Sequence, residues 1–245
     1  MSIEPLLRVN NVSKTFGSLK AVTNLSFELY PKEVFGIVGP NGAGKSTLIE
    51  VLSQNHLKRD SGTVLLNDEE TLGMSGREIC QRGLVRTFQA EMSFENLRVD
   101  ENVRLAAVYG RKEKANEREL DAITAKALKV VGLGANLMSK AGEVSVLDRK
   151  KLMIASALAC EPCIILLDEP ASGLNELERL ELINIIERIR QNGVSVLVIE
   201  HVISLLKVVA DRMMVMVNGE KFAEGLPSDV LEDPRVLEAY FGVSP

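Results

Sequence analysis

The stretch GPNGAGKST, residues 39–47, sets Gly39, Gly44, Lys45 and Ser46 in the order G-x-x-x-x-G-K-[ST]. Gly42 and Gly44 let successive backbone N–H groups turn into one concavity at a helix N-terminus, where phosphate oxygens are held. Pro40, Asn41, Ala43 and Thr47 complete that loop. Lys45 adds a point charge for the outer phosphates, and the Ser46 hydroxyl is a ligand for Mg²⁺. The flanks suit the pattern, because VFGIV at 34–38 reads as a strand and TLIEVL continues a helix that starts near Lys45.

A second set of chemical residues follows an apolar run. Ile164, Ile165, Leu166 and Leu167 suit a central strand buried on both faces, and Asp168 and Glu169 emerge at its C-terminal end. Ligands of open parallel sheets bind at that end. Asp168 is then placed to organise Mg²⁺ through a water, and Glu169 to polarise the water that attacks a γ-phosphate. Alone, such an acid pair is as well explained as a surface ending of a core strand; the phosphate loop gives it a role.

These residues need a scaffold, and the patterning supplies one. Strand-like segments open the chain at 6–12, 25–29, 34–38 and 61–67. Two helices follow, RVDENVRLAAVYG and a longer one ending near Gly132, with the charged RKEKANERE as a solvated face or loop. Thereafter strand, helix and strand alternate through CIILLDE, NELERLELINIIERIRQNG and VSVLVIE, which argues for a parallel sheet covered by helices. Asn218-Gly219 between two strand-like runs signals a tight hairpin. The expectation is one domain over 1–245, with a nucleotide-binding core at 1–89 and 156–245 and a helical lobe at 90–155.

Composition narrows the function classes. With 245 residues, 46% hydrophobic and 26% charged, the chain reads as globular, and a net charge of -5 argues against a broad grip on nucleic acid. The N-terminus lacks a basic segment leading into an apolar core, and no stretch approaches the roughly 18 apolar residues of a spanning helix, so a cytoplasmic location is expected. Cys160 and Cys163 form a CxxC without a second pair to complete a zinc site, which reads as two small buried side chains at a helix-to-strand junction.

With LDEP at 167–170 in place, the chain resembles an ATP-binding-cassette ATPase, the motor subunit of an ABC transporter, over essentially its whole length. The resemblance implies an α/β P-loop fold with a mostly parallel central sheet, an N-terminal antiparallel β subdomain and an inserted helical lobe. It also implies ATP and Mg²⁺ as ligands. It places Phe16 on the adenine, Gln89 as sensor of the γ-phosphate and Mg²⁺, His201 as the switch histidine, and SGLN at 172–175 on the loop that crosses to a partner subunit. Within the family, GLVRTFQ, LDEPASGLNE, IEHV and DPRVLEAYFG are similar to the ATPases of branched-chain amino-acid uptake systems and their urea or short-amide relatives. That implies a peripheral position on the cytoplasmic face of the inner membrane, permease subunits as partners, and an external solute-binding protein met only indirectly. The groove beside the loop after Gln89 then receives short permease helices, with Phe94 and Leu97 of segment 90–102 as exposed anchors.

One motif departs from the family. Where its signature reads LSGGQ or a variant, this chain has VSVLD at 144–148, with Leu147 on a glycine position. Ser145 still caps a helix and offers its hydroxyl, and Lys150 and Lys151 offer attraction for phosphate, but the leucine adds bulk where a backbone must approach the γ-phosphate held by the other subunit. The degenerate signature suggests an asymmetric pair with a different ATPase subunit. The alternative is a catalytically weak regulatory or structural subunit.

Overall fold

The computed structural model describes residues 3–54, 56–87, 93–134 and 137–241. The chain opens with β1 (Leu7–Phe16), β2 (Leu19–Leu29) and β3 (Val34–Val38), then α1 (Lys45–Ser53), β4 (Ser61–Leu66) and the short β5 (Glu69–Glu70). Strands β2, β1, β4 and β5 form an antiparallel sheet in that order. Strand β2 begins at Leu19 rather than Leu25, because Phe16 pairs with Leu19 and Thr15 with Lys20 across a tight turn. The polar residues that hid this extension face outward in a ladder that backbone pairing sustains.

A short helix α2 (Gly76–Gln81) and strand β6 (Leu84–Arg86) come next. Strand β6 is too short to show alternation in the sequence pattern. Three helices follow, α3 (Val99–Tyr109), α4 (Glu117–Val131) and α5 (Val146–Ala159), and they pack on one another through Val103, Ala107, Leu120, Leu128, Leu152 and Ala155. Helix α4 starts at a capping box of Asn116 and Glu119 and stops at Gly132, which has φ 75°. RKEKAN thus lies in the preceding loop.

The last part alternates as expected: β7 (Ile164–Asp168), α6 (Glu176–Gln191), β8 (Ser195–Ile199), α7 (Ile203–Val209), β9 (Arg212–Val217), β10 (Glu220–Gly225), α8 (Pro227–Glu232) and α9 (Pro234–Phe241). The larger sheet runs β10-β9-β3-β8-β7-β6 and is parallel except for the β9–β10 hairpin, whose turn residues Asn218 and Gly219 have φ 50° and 83°. Cys160 closes α5 and Cys163 precedes β7, so the CxxC is the helix-to-strand junction anticipated above, but both side chains are half-buried rather than buried, and they and Cys80 are free thiols.

The apolar strands look featureless in sequence because both faces are covered. Ile165, Leu167, Val196, Val198, Met213 and Val215 belong to one core, with the helices. Their neighbours Ile164, Leu166, Leu197, Ile199, Met214 and Met216 belong to a second core, with α1 and the antiparallel sheet. The period of two along each strand therefore divides one sheet between two packing layers.

Leu166 is fully buried in the second core. Its replacement by alanine is expected to cost about 2–5 kcal/mol of unfolding free energy, read from a denaturant titration.

Candidate nucleotide site

Strand β3 ends where the glycine loop begins. Ala43 N–H donates to Pro40 O at 3.1 Å, and Gly44, at φ 94°, starts α1. A Cβ at Gly44 would lie 2.0 Å from the carbonyl oxygen of Ala21, so the loop and β2 touch backbone to backbone and no side chain fits between them. Helix α1 has neither a side-chain cap nor an acidic residue in its first turn. Its first N–H groups and the positive end of its dipole are left to an anion.

The loop frames a cavity of about 400 Å³. Its lining brings together Phe16 and Lys20 from the first hairpin, the loop and helix residues Asn41, Gly42, Ala43, Gly44, Lys45, Ser46 and Thr47, and Glu169 and Asn218. Phe16 is 47% exposed at the mouth of this cavity, with the Lys14 ammonium 5.6 Å from its ring centroid. Gly39 and Pro40 act from behind: the Lys45 ammonium donates to their carbonyl oxygens at 2.6 and 3.0 Å. Burial lowers the Lys45 pKa, and the Glu169 and Asp168 charges act in the opposite direction.

Asp168 ends β7 and is buried beside Arg86, whose Nη2 donates to Oδ2 at 3.0 Å. The same guanidinium binds Glu50 of α1 through Nη1. Burial raises the Asp168 pKa, opposed by the hydrogen bond and charge of Arg86. Glu169 follows in a left-handed conformation, φ 48°, with its N–H donating to Ile199 O at 2.9 Å. Such a conformation costs on the order of 1–3 kcal/mol for a residue other than glycine and persists only where the surroundings fix it. It turns the carboxylate into the cavity and toward His201, whose Nδ1 lies 3.9 Å from Glu169 Oε2.

Ser145 is elsewhere. It is exposed and caps α5, accepting from Asp148 N–H at 3.1 Å, and it does not line the cavity. The neighbouring residues differ from the sequence expectation. Leu147 is 9% exposed and packs inside the helical core, so its bulk is directed into the lobe, and Val146, 38% exposed, is the bulky side chain left at the helix start. Lys151 is buried and bound to Glu181 and Asp148, so its charge is committed within the lobe. Gln89 and residues 90–92 lie outside the described residues.

Three residues near these groups carried no role in the sequence reading. Asn218 was visible only as half of a hairpin turn, yet Gly219 N–H donates to Ala43 O at 3.1 Å and its carbonyl accepts from Thr23 N–H at 2.8 Å, so the turn ties the glycine loop to β2. Arg86 and Glu200 sit inside the quoted RTFQ and VIEH stretches, without a sequence signal that separates them from surface charges.

A family profile described as ABC transporter matches residues 22–172. The chain belongs to the ABC transporter family, whose ATP-binding cassettes hydrolyse ATP to power transport. A second profile, branched-chain amino acid ATP-binding cassette transporter, matches residues 220–244. The chain is 36% identical over 253 residues to the high-affinity branched-chain amino acid transport ATP-binding protein LivG of Escherichia coli K12, covering 98% of both chains. It is 32% identical to BraF of Pseudomonas aeruginosa, covering 97% of this chain and 98% of that one. Among solved structures, the ADP conformation of an ATP-binding cassette of an ABC transporter superposes with TM-score 0.89 at 31% identity, covering 98% of this chain and all of the other. A nucleotide-free cassette gives 0.87 at 30% identity, covering 96% and 98%.

Arg86 is the counter-ion of a buried carboxylate, which sets the consequence of its removal. Arg86→Ala is expected to lower unfolding free energy by about 3 kcal/mol at neutral pH, and adding Asp168→Asn should recover part of that loss. Because the folded Asp168 pKa is raised, protonation favours the folded state, so stability of the single variant should increase as pH falls through the elevated pKa. Urea titrations at several pH values measure both.

Proposed function

We propose that this chain is the ATP-hydrolysing subunit of an importer for branched-chain amino acids or related small polar solutes. It would work at the cytoplasmic face of the inner membrane, bound to permease subunits, and meet the external solute-binding protein only through them. The observation that carries the reading is the joint presence of Lys45, Ser46 and Glu169 around one cavity, with Asp168 and His201 at the ends of adjacent strands. The names of the relatives above support the solute class.

In this reading the loop amides and Lys45 take the phosphates, and the ammonium exchanges the carbonyls of Gly39 and Pro40 for phosphate oxygens. Phe16 stacks on the base. Ser46 and Asp168 offer a hydroxyl and a carboxylate, the hard oxygen donors that suit Mg²⁺, and the place beside Asp168 already holds the cationic Arg86. Mg²⁺, when bound, neutralises charge on the outer phosphates. Glu169 accepts a proton from the attacking water, and His201 hydrogen-bonds the γ-phosphate. Gln89 completes the set as sensor of the γ-phosphate and the metal. No helix is long and apolar enough among the described residues to cross a membrane, and contact with the permease falls to the surface of the helical lobe. Phe94, 65% exposed, and the half-buried Leu97 project from a loop pinned by the buried Asn102, whose Nδ2 donates to the carbonyls of Phe94 and Arg98 at 3.1 and 2.9 Å.

We propose further that the second ATPase subunit is a different chain. The signature segment has no glycine between Val144 and Asp148, and Val146 occupies the exposed start of α5. ATP on this chain is then hydrolysed against an intact signature from the partner, while the opposite site turns over poorly. A catalytically weak regulatory subunit is the second reading, favoured by the same glycine-free segment and opposed by Glu169, for which a structural relic has no chemical use.

Affinity purification of the tagged chain from membranes should bring permease subunits and a second ATPase, and should bring no nucleic acid. In that complex, Glu169→Gln should lower turnover by about a hundredfold while ATP binding persists. For the chain alone, slow hydrolysis should rise in the Val146→Gly variant, which frees the exposed start of α5 and leaves Leu147 in the core. Fast turnover by the unmodified homodimer, unimproved by glycine, would overturn the asymmetric pair.

A further inference from the structure

The carboxylate of Glu200 is fully buried and has no part in the steps above. It stands where three strands end together. Its own N–H donates to Ile37 O near the end of β3 at 3.2 Å, and the preceding Ile199 carbonyl accepts from Glu169 N–H at 2.9 Å. The side chain then bridges two loops. Oε1 accepts from Ala171 N–H at 2.6 Å, and Oε2 accepts from His201 N–H and Val202 N–H at 3.1 and 3.2 Å.

A buried carboxylate persists only when its oxygens are satisfied, and charge-assisted bonds to backbone N–H groups are stronger than neutral ones. Here the donors come from two segments that no backbone ladder joins beyond Glu169. Ala171, itself fully buried, is two residues past Glu169 and opens the turn through Leu174, whose N–H donates to Ala171 O at 3.2 Å, to Asn175 at the cap of α6. His201 and Val202 lead into α7. His201 is otherwise loosely held, with 53% of its side chain exposed and its Nδ1 3.9 Å from both Glu169 and Glu200.

We infer that Glu200 is a positioning residue for hydrolysis: it clamps the segment after Glu169 to the segment carrying His201, so that a shift of the 172–175 turn moves His201 with it. The inference rests on the roles proposed for Glu169 and His201. A glutamine fills the same volume but turns an NH₂ toward N–H donors, so one arm of the clamp is replaced by repulsion. Aspartate keeps the charge and shortens the reach.

The test uses the assembled transporter and compares Glu200→Gln, His201→Ala, their double variant and Glu169→Gln, with turnover and equilibrium ATP affinity measured for each. Glu200→Gln is expected to lower kcat at least about tenfold with ATP Kd within about twofold, and the double variant is expected to be no slower than His201→Ala. A residue that only supports the fold would weaken ATP binding in step with kcat, and its loss would multiply with that of His201→Ala. Either result overturns the clamp. If Glu169→Gln and His201→Ala lower turnover while Glu200→Gln leaves it unchanged, the clamp alone falls. If those two leave turnover intact, the catalytic reading falls and takes the clamp with it. Should Glu200→Gln fail to fold, Glu200→Asp is put through the same comparisons, with the same outcomes deciding.

Discussion

The parallel register of β3, β8 and β7 fixes where the chemistry is. Ile37 pairs with Ile199, and Ile199 with Asp168, so the glycine loop, the acid pair and the Glu200–His201 pair all leave the sheet at the C-terminal ends of neighbouring strands and at one level. None of these groups is close to another along the chain. Backbone hydrogen bonds at fixed spacing bring them within reach, and the two apolar cores hold that register because a slip of one residue would exchange their faces. The left-handed Glu169 is affordable in this setting, since its N–H is captured by the neighbouring strand.

Close approach between backbones is the second constraint. The glycine loop is pressed between β2, through Ala21, and the β9–β10 turn, through Gly219, so the antiparallel sheet and the last hairpin jointly shape a cavity to which they contribute Phe16, Lys20 and Asn218. Charges are then distributed around that frame. Lys45 rests on carbonyls of its own loop, and Asp168 rests on Arg86, so each of these charged groups is held in place by a partner from the fold itself. Arg86 also reaches Glu50 on the helix that the glycine loop opens, which connects the strand leading toward Gln89 to both the acid pair and α1.

The helical lobe follows a different logic. Its three helices bury an apolar seam among themselves, and Leu147 joins that seam. An N-cap at Ser145 sets the phase of α5, and with that phase the second helical residue faces inward. The leucine that looks obstructive in sequence is absorbed by packing, and Val146 is the exposed side chain beside it.

Much of this was legible in residue order. The spacing of Gly39, Gly44, Lys45 and Ser46 between a strand and a helix, the apolar run ending in Asp168 and Glu169, the Asn-Gly hairpin and the helix ending at Gly132 each reflect local rules, in which the residue type itself satisfies a backbone or charge requirement. Strand β6 and the first half of β2 were not legible, because their stability comes from neighbours and not from their own pattern; the short α2 has a local signal that went unread, the capping box of Ser75 and Glu78. The partnership of Arg86 with Asp168, of Glu200 with Ala171, and of Asn218 with the glycine loop lies in the same category. By itself, then, the sequence determined that the chain holds a nucleotide and which acids follow its central strand, since short-range geometry and side-chain chemistry suffice for both. Only the tertiary structure decided which charges offset those acids, which way Leu147 turns, and that the buried Glu200 carboxylate bonds the backbone of both Ala171 and His201, because each depends on atoms brought together from distant parts of the chain.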